Sequence, residues 1–318
     1  MRPGFPFDLF DPASFAHASR IGRTIAELAP LSLSPPYPWG QWLYSQLITA
    51  RCRRLKGDFV ECGVAKGGMS ILLGEFARRM GRRVLAFDTF RGLPQPDTLH
   101  DNPYFAEGDY GSHPYRGDLL DRLRCELARR DLVDIVHPIA GLFRDTLPAL
   151  PARLRIAFLH VDVDLYRSAR EVLDTLYPRV VEGGVVAVDD FFHHAQGPAR
   201  AVRDHFHAIG VEPLLHVTFP YGVVIIKGER AGSRHRALDG NRYSFAFLRR
   251  DRRLRETVER SLRRARGEAR AEARLLRDII TRSTARSADL YDYLRALAAY
   301  WDDMDLVAPR GKRSAYRI

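Results

Sequence analysis

Four apolar runs in this sequence stop at acids. Val60 precedes Glu61, Phe87 precedes Asp88, Val161 precedes Asp162, and Val188 precedes the pair Asp189-Asp190. A carboxylate at the end of a core strand is costly to bury without a partner. In an open parallel sheet, ligands bind beyond the carboxyl ends of the strands. Asp162, Asp189 and Asp190 fall at the ends of two strands expected to be neighbours, and Asp164 lies two residues beyond Asp162. Three hard oxygen ligands converging at a sheet edge suit Mg²⁺. A divalent ion there holds a substrate hydroxyl and lowers its pKa, and a further carboxylate takes the proton. The competing reading is that the Asp pair caps the next helix. Like charges this close repel unless a cation or a proton relieves them.

The first of these strands runs into Glu61-Cys62-Gly63-Val64-Ala65-Lys66-Gly67-Gly68-Met69-Ser70. Glycines let the backbone approach a ligand closely, and the following helix start offers free amides. The pattern is not the three-glycine dinucleotide fingerprint, so a tight turn without a ligand stays open. Asp88 follows Glu61 by 27 residues. An acid there can accept both ribose hydroxyls of a nucleoside or can cap a turn. His193, His194, His205 and His207 cluster in sequence. The first two either line the pocket or sit in a solvated loop. His160, inside an apolar strand, reads as a satisfied core residue, and Cys62 as a small packing residue.

These residues need a scaffold, and the chain alternates between strands and helices from Gly57 to Lys227. Strands are expected at 58–61, 83–87, 134–139, 155–161, 184–188, 213–218 and 222–226. Helices are expected at 68–80, 118–130, 168–177 and 198–208. Such alternation implies a parallel sheet covered on both faces. The last two strands are joined by a turn too short for a crossover, so one of them is antiparallel. The expected fold is therefore α/β, a doubly wound Rossmann-like sheet with an antiparallel last strand.

Residues 1–56 form an aromatic, Pro-rich segment followed by a helix, whose stripe is Trp42, Leu43, Leu47 and Ile48. Residues 57–229 form the body. Residues 230–318 form an Arg-rich helical appendage running from Ser244 to about Asp305, with a break at Ser283–Ser287. From Arg230 onward there are 23 basic and 12 acidic residues, and before it 27 of each. The net charge of +11 thus belongs to the appendage, and charge arguments about partners apply only there. Three cysteines in 318 residues rule out a disulfide framework. No apolar run reaches about 18 residues, so no spanning helix is expected. The N-terminus lacks a basic region followed by an apolar stretch, so a secretory leader is not expected and the cytoplasm is.

With these residues in place, the chain resembles the macrocin O-methyltransferase family over about Gly57 to Lys227. The resemblance rests on five motifs in order. They are Phe59-Val-Glu-Cys-Gly-Val-Ala-Lys-Gly-Gly-Met-Ser70, Phe87-Asp-Thr-Phe-Arg-Gly-Leu-Pro94, Gly141-Leu-Phe-Arg-Asp-Thr-Leu-Pro148, Val161-Asp-Val-Asp-Leu-Tyr-Arg-Ser168 and Gly183-Gly-Val-Val-Ala-Val-Asp-Asp190. The resemblance implies a class I methyltransferase that uses S-adenosylmethionine and Mg²⁺ to methylate sugar hydroxyls in natural product and antibiotic biosynthesis. It implies that Glu61, Gly63, Val64, Gly67, Gly68 and Ser70 hold the methionine end of the cofactor. It implies further that Asp88 and Thr89 hold the ribose side, with Asp162 also touching the cofactor. Asp162, Asp189 and Asp190 are the implied metal ligands. Asp162 and Asp164 are the implied catalytic pair, with Asp164 as general base. Two positions depart from the pattern: Val163 replaces the usual small residue, and His160 stands where a larger basic residue is expected.

The long aromatic segment Asp97–Asp118, with Tyr104, Phe105, Tyr110, His113 and Tyr115, suits a lid over a sugar or aromatic acceptor, or a surface loop. The N-terminal aromatic stretch is expected to close the same pocket. A catechol-like acceptor is an alternative, because vicinal hydroxyls also chelate Mg²⁺. A third reading is an assembly or binding protein that docks through the appendage. There, Glu256, Glu259, Glu268 and Glu272 interleave with the arginines, which favours a helix laced with i,i+4 pairs over a nucleic-acid surface. The appendage's narrow apolar stripe, from Leu248 to Ile280, suits packing on the body or on a second subunit, so a homo-oligomer is expected.

Overall fold

A computed structural model of the chain describes residues 51–103, 105–111, 118–191, 197–218 and 222–230 without interruption, together with residues 24–25, 27–31, 41, 44, 48, 242–244 and 284–286. Seven strands make one sheet. They are β1 (Asp58–Cys62), β2 (Val84–Asp88), β3 (Val136–Ala140), β4 (Ile156–Val161), β5 (Val180–Val188), β6 (Pro213–Thr218) and β7 (Gly222–Arg230). Their order is β3-β2-β1-β4-β5-β7-β6. β1 to β5 pair in parallel. β7 runs antiparallel to both β5 and β6, so the last strand of the chain's sheet is the reversed one.

The helices lie between the strands in sequence. α1 (Gly68–Met80) follows β1, α2 (Leu119–Arg129) follows β2, and α3 (Phe143–Thr146) follows β3. α4 (Tyr166–Leu176) follows β4, and α5 (Gly197–Ala208) follows β5. α3 has no counterpart in the sequence reading, because four residues are too few to show an apolar period. Local chemistry explains the ends. Asp118 caps α2 by accepting from the Leu120 and Asp121 amides. α1 closes on Gly81 in the left-handed conformation, φ +63°.

Every residue of β4 is buried, as a central parallel strand requires. α4 buries Ser168, Ala169, Val172, Leu173 and Leu176, a single stripe at helical spacing. The N-terminal segment shares this core. Ile25, Leu28, Tyr44 and Ile48 are buried with the sheet residues. Ile48 was expected there; Trp42, Leu43 and Leu47 lie outside the described residues. Arg82 ties the segment down by donating to the carbonyls of Gly57 (3.1 Å), Cys52 (2.6 Å) and Leu55.

Two short strands, β8 (Arg242–Ser244) and β9 (Thr284–Arg286), pair antiparallel. β9 falls in the expected break at 283–287, and Ser244, expected to open a helix, ends β8. The remainder of the appendage reading lies outside the described residues. No helix among the described residues is long and apolar enough to cross a membrane.

Candidate active site

Five strand ends come level at the carboxyl edge of the sheet. The Gly141 amide donates to the Asp88 carbonyl, Gly63 to Phe87, Asp162 to Cys62 and Asp189 to Val161, each at 2.9 Å. The winding direction reverses between β1 and β4, and such a switch point opens a crevice for ligands. Gly63 sits in that crevice at φ +88°, where an added Cβ would lie 1.6 Å from the Asp162 carbonyl oxygen. No other residue fits.

On the β1–β2 side, Asp88 organises the turn that leads into α1. One carboxylate oxygen accepts from the amides of Val64 (2.7 Å) and Ala65 (2.9 Å), and the other from Phe90 (2.7 Å). The Thr89 hydroxyl donates to the Gly92 carbonyl at 2.6 Å and accepts from the Arg91 amide at 3.1 Å. Gly67 turns the chain into α1 at φ +88°. Glu61 and Ser70 lie behind the turn, 1% and 0% exposed. The Ser70 hydroxyl donates to one Glu61 oxygen, and the His160 ring meets the other at 3.3 Å. A cavity of about 780 Å³ opens beside Asp88, lined among others by Thr89, Gly92, Gly141, Phe143, Ser168 and Glu171.

On the β4–β5 side the acids face one another. Asp162 is raised well above the usual carboxylate range, first by burial and then by the charges of Asp189 and Asp190. Asp164 is raised too, by burial and then by Asp190, to which it is also hydrogen-bonded. Asp164 and Asp190 both adopt left-handed backbone, φ +58° and +57°. Such conformations are costly for a residue with a side chain and cluster at functional sites. Ligand atoms of His160, Asp162 and Asp189 lie within 4.8 Å of one another.

His160 is fully buried and bridges the two sides. Its second ring nitrogen lies 3.1 Å from Asp189 Oδ2. Burial works against its charge, but the bonds to Asp189 and Glu61 outweigh it and hold the imidazole well above its ordinary pKa. The core reading of His160 agrees with both nitrogens being partnered. Tyr44, which the sequence reading did not single out, donates to Asp189 Oδ1. The only signal for it was its place in a helical stretch near the motifs. Asp101 was missed in the same way. It is 8% exposed and accepts from the Tyr166 amide at the start of α4 and from the Asp97 amide, both at 2.7 Å.

Other candidates fall elsewhere. His205 bonds Asp174 at 2.6 Å between α5 and α4, and His207 is exposed. Cys62 is buried, and burial pushes its thiol up, which agrees with packing rather than nucleophilic use. His193, His194, Tyr104, His113 and Tyr115 lie outside the described residues. The first part of the aromatic segment is anchored to α4, because His100 stacks on Tyr166 at 4.1 Å and Arg167 pairs with Asp97 at 3.0 Å.

The model of the macrocin O-methyltransferase (TylF) family matches residues 43–220, more than half of the chain. Two curated relatives come from Streptomyces. The 8-demethyl-8-(2,3-dimethoxy-alpha-L-rhamnosyl)-tetracenomycin-C 4'-O-methyltransferase of Streptomyces olivaceus is 36% identical over 142 residues. The demethyldecarbamoylnovobiocin O-methyltransferase of Streptomyces niveus is 35% identical over 142 residues. Each match covers 42% of this chain and 53% of the relative, so the chain spans about half the length of the curated relatives it matches. Among solved structures, the calicheamicin methyltransferase CalS11 is 23% identical, with a TM-score of 0.50 over 69% of this chain and 97% of that one. That likeness carries the fold.

Proposed function

The chain belongs to the macrocin O-methyltransferase family, and on that premise we propose that it transfers a methyl group from S-adenosylmethionine to a hydroxyl of a sugar on a natural product, with a divalent cation at the acidic edge. The observation that carries the reading is the juxtaposition of the Asp88-braced turn with Asp162, Asp164, Asp189 and Asp190 across the β1–β4 crevice. The name of the rhamnosyl-tetracenomycin relative supports a sugar acceptor.

The residues fit both groups. A cavity of about 780 Å³, lined by Thr89 and Gly141 just beyond the second strand end, suits a nucleoside, and Asp88, the residue before Thr89, would hold the ribose. The turn of Gly63, Val64 and Gly67-Gly68 between β1 and α1 would hold the methionine end. Glu61 and Ser70 act from behind, by fixing the turn. The implied donor set Asp162, Asp189 and Asp190 is all oxygen; the structure brings ligand atoms of Asp162 and Asp189 together with one of His160 within 4.8 Å, and the repulsion among the acids suits a cation such as Mg²⁺. When bound, the cofactor supplies an electrophilic methyl and the ion a lowered hydroxyl pKa.

The chain's own work is alignment and proton removal. The β4 and β5 ends hold the acceptor hydroxyl opposite the cofactor crevice, so that attack runs in line. A carboxylate oxygen of Asp164, once ionised, takes the hydroxyl proton. A carboxylate with a raised pKa is the stronger base for this step. Burial around the edge strengthens these interactions.

The test is calorimetric titration of S-adenosylhomocysteine into the protein with Mg²⁺ and with EDTA, followed by methyl-transfer assays on a panel of glycosides and catechols. Binding of the nucleoside and Mg²⁺-dependent methylation of a glycoside are expected. Failure to bind under either condition would sink the enzyme reading. Turnover of catechols alone would redirect the acceptor.

A further inference from the structure

Asp189 is held from outside by two side chains. The Tyr44 hydroxyl donates to Oδ1, and His160 Nε2 lies 3.1 Å from Oδ2. The donors come from distant parts of the chain: Tyr44 precedes Asp189 by 145 residues and His160 by 29. Tyr44 is itself fixed, 2% exposed and packed edge-on to His160 at 5.4 Å and Phe158 at 6.0 Å between ring centres. The imidazole is fixed from its far side by Glu61, which Ser70 holds in turn. A carboxylate bonded on each oxygen has lost its freedom to rotate about its terminal torsion, which is otherwise broad. Each oxygen keeps one lone-pair direction free of these donors.

We propose that Tyr44 and His160 are positioning residues that clamp the Asp189 carboxylate, one on each oxygen, in the orientation a divalent-cation site needs, with the N-terminal segment thereby completing that site. This rests on the methyltransferase reading above. It goes beyond it in giving a structural role at the acidic edge to residue 44 and to the histidine that departs from the family pattern.

Side chains that separate the two ends of the imidazole provide the test. Gln at 160 places an amide near the Nε2 position and keeps a donor for Asp189. Asn at 160 places its amide near Nδ1, keeps Glu61 partnered and gives up Asp189. Tyr44→Phe removes one hydroxyl and keeps the ring packing. Mn²⁺ binding, followed by electron paramagnetic resonance on the full chain, and S-adenosylhomocysteine binding by calorimetry are the two readouts. Tyr44→Phe and His160→Asn are expected to weaken Mn²⁺ about tenfold, a typical loss for outer-shell partners of metal ligands. Both are expected to leave S-adenosylhomocysteine within about twofold. His160→Gln is expected to bind Mn²⁺ within about threefold of the parent.

Equal Mn²⁺ affinity in the parent, Tyr44→Phe and His160→Asn would overturn the clamp while leaving the methyltransferase reading intact. Loss of Mn²⁺ in His160→Gln with retention in Tyr44→Phe would overturn it in favour of His160 as a direct ligand. Parent protein that binds the nucleoside but no Mn²⁺ would remove the divalent site and this inference together. Parent protein that binds neither would remove the methyltransferase reading. Retained S-adenosylhomocysteine affinity shows that each variant is folded, so a loss of Mn²⁺ is not a loss of structure.

Discussion

The β1–β2 edge and the β4–β5 edge both place acids at strand ends, but they neutralise them differently. Asp88 meets three backbone amides, from Val64, Ala65 and Phe90. Asp162 and Asp164 meet other carboxylates and are pushed up by them as well as by burial. The first edge is a finished anion-in-amide device that shapes a turn. The second has a surplus of negative charge that a cation or a proton must relieve. On the proposed reading, one sheet edge carries a rigid half for the nucleoside and an acid-rich half for the acceptor. Glu61, His160 and Asp189 run between them.

The comparison breaks most directly if the two halves cannot be damaged separately. Asp190→Asn is expected to lower methyl transfer by about 10²- to 10³-fold, the scale of losing a group that stabilises transition-state charge. Its affinity for S-adenosylhomocysteine should stay within a few-fold. Steady-state assays paired with calorimetry check this. A large drop in nucleoside affinity would mean that the edges are not independent.

The converse change is Asp88→Ala. It leaves three turn amides without their acceptor, and nucleoside affinity should fall about 100-fold, or about 2.8 kcal/mol. Mn²⁺ affinity should hold. If Mn²⁺ binding falls in step, the turn supports the acidic edge as well as the cofactor.

A third measurement sharpens the electrostatic half alone. A cation at about 100 times its Kd stabilises a folded protein by about 2.7 kcal/mol. Thermal melts with Mg²⁺ and with EDTA should therefore separate in the parent and converge in Asp190→Asn. A Mg²⁺ shift that survives that substitution would place the ion elsewhere.

Much of this was legible in the residues, for physical reasons. The strand-ending acids could be located because β1, β2, β4 and β5 are apolar runs with abrupt polar ends. The neighbouring of β4 and β5 followed from the winding rules. The antiparallel β7 followed from a turn too short for a crossover. The clamp on Asp189 was not legible. Tyr44 sits in a Pro-rich, aromatic stretch whose period says helix but not where the helix docks. The burial of Glu61 and Ser70 was hidden for a related reason. A motif shows which residues surround a turn but not which of them face the ligand and which face the core. His160 was read as satisfied, but its partners come from strand register, and Glu61 is its direct partner on β1.

The smallest effect concerns an acid of the satisfied class away from the crevice. Asp97 accepts from the Leu99 amide at 2.9 Å, from His100 at 3.1 Å and from Arg167 at 3.0 Å. The Leu99 amide first, then His100 and Arg167, pull its pKa down to about 2. A carboxylate whose folded pKa lies below its unfolded value of about 3.9 stabilises the fold above that value and loses the effect as pH falls to about 2. Asp162 and Asp164, raised in the fold, act in the opposite sense and make the cation-free protein gain stability as pH falls from their folded values toward the unfolded value of about 3.9. Asp97→Asn should therefore be less stable than the parent near pH 5, and the gap should close between about pH 4 and about pH 2. The gap should be small, because the Arg167 side chain is 72% exposed and surface pairs are worth little. Urea melts at stepped pH resolve it. A gap that stays constant down to pH 2 would show that Asp97 holds its segment through hydrogen bonding alone, and that its charge does not belong with that of Asp88.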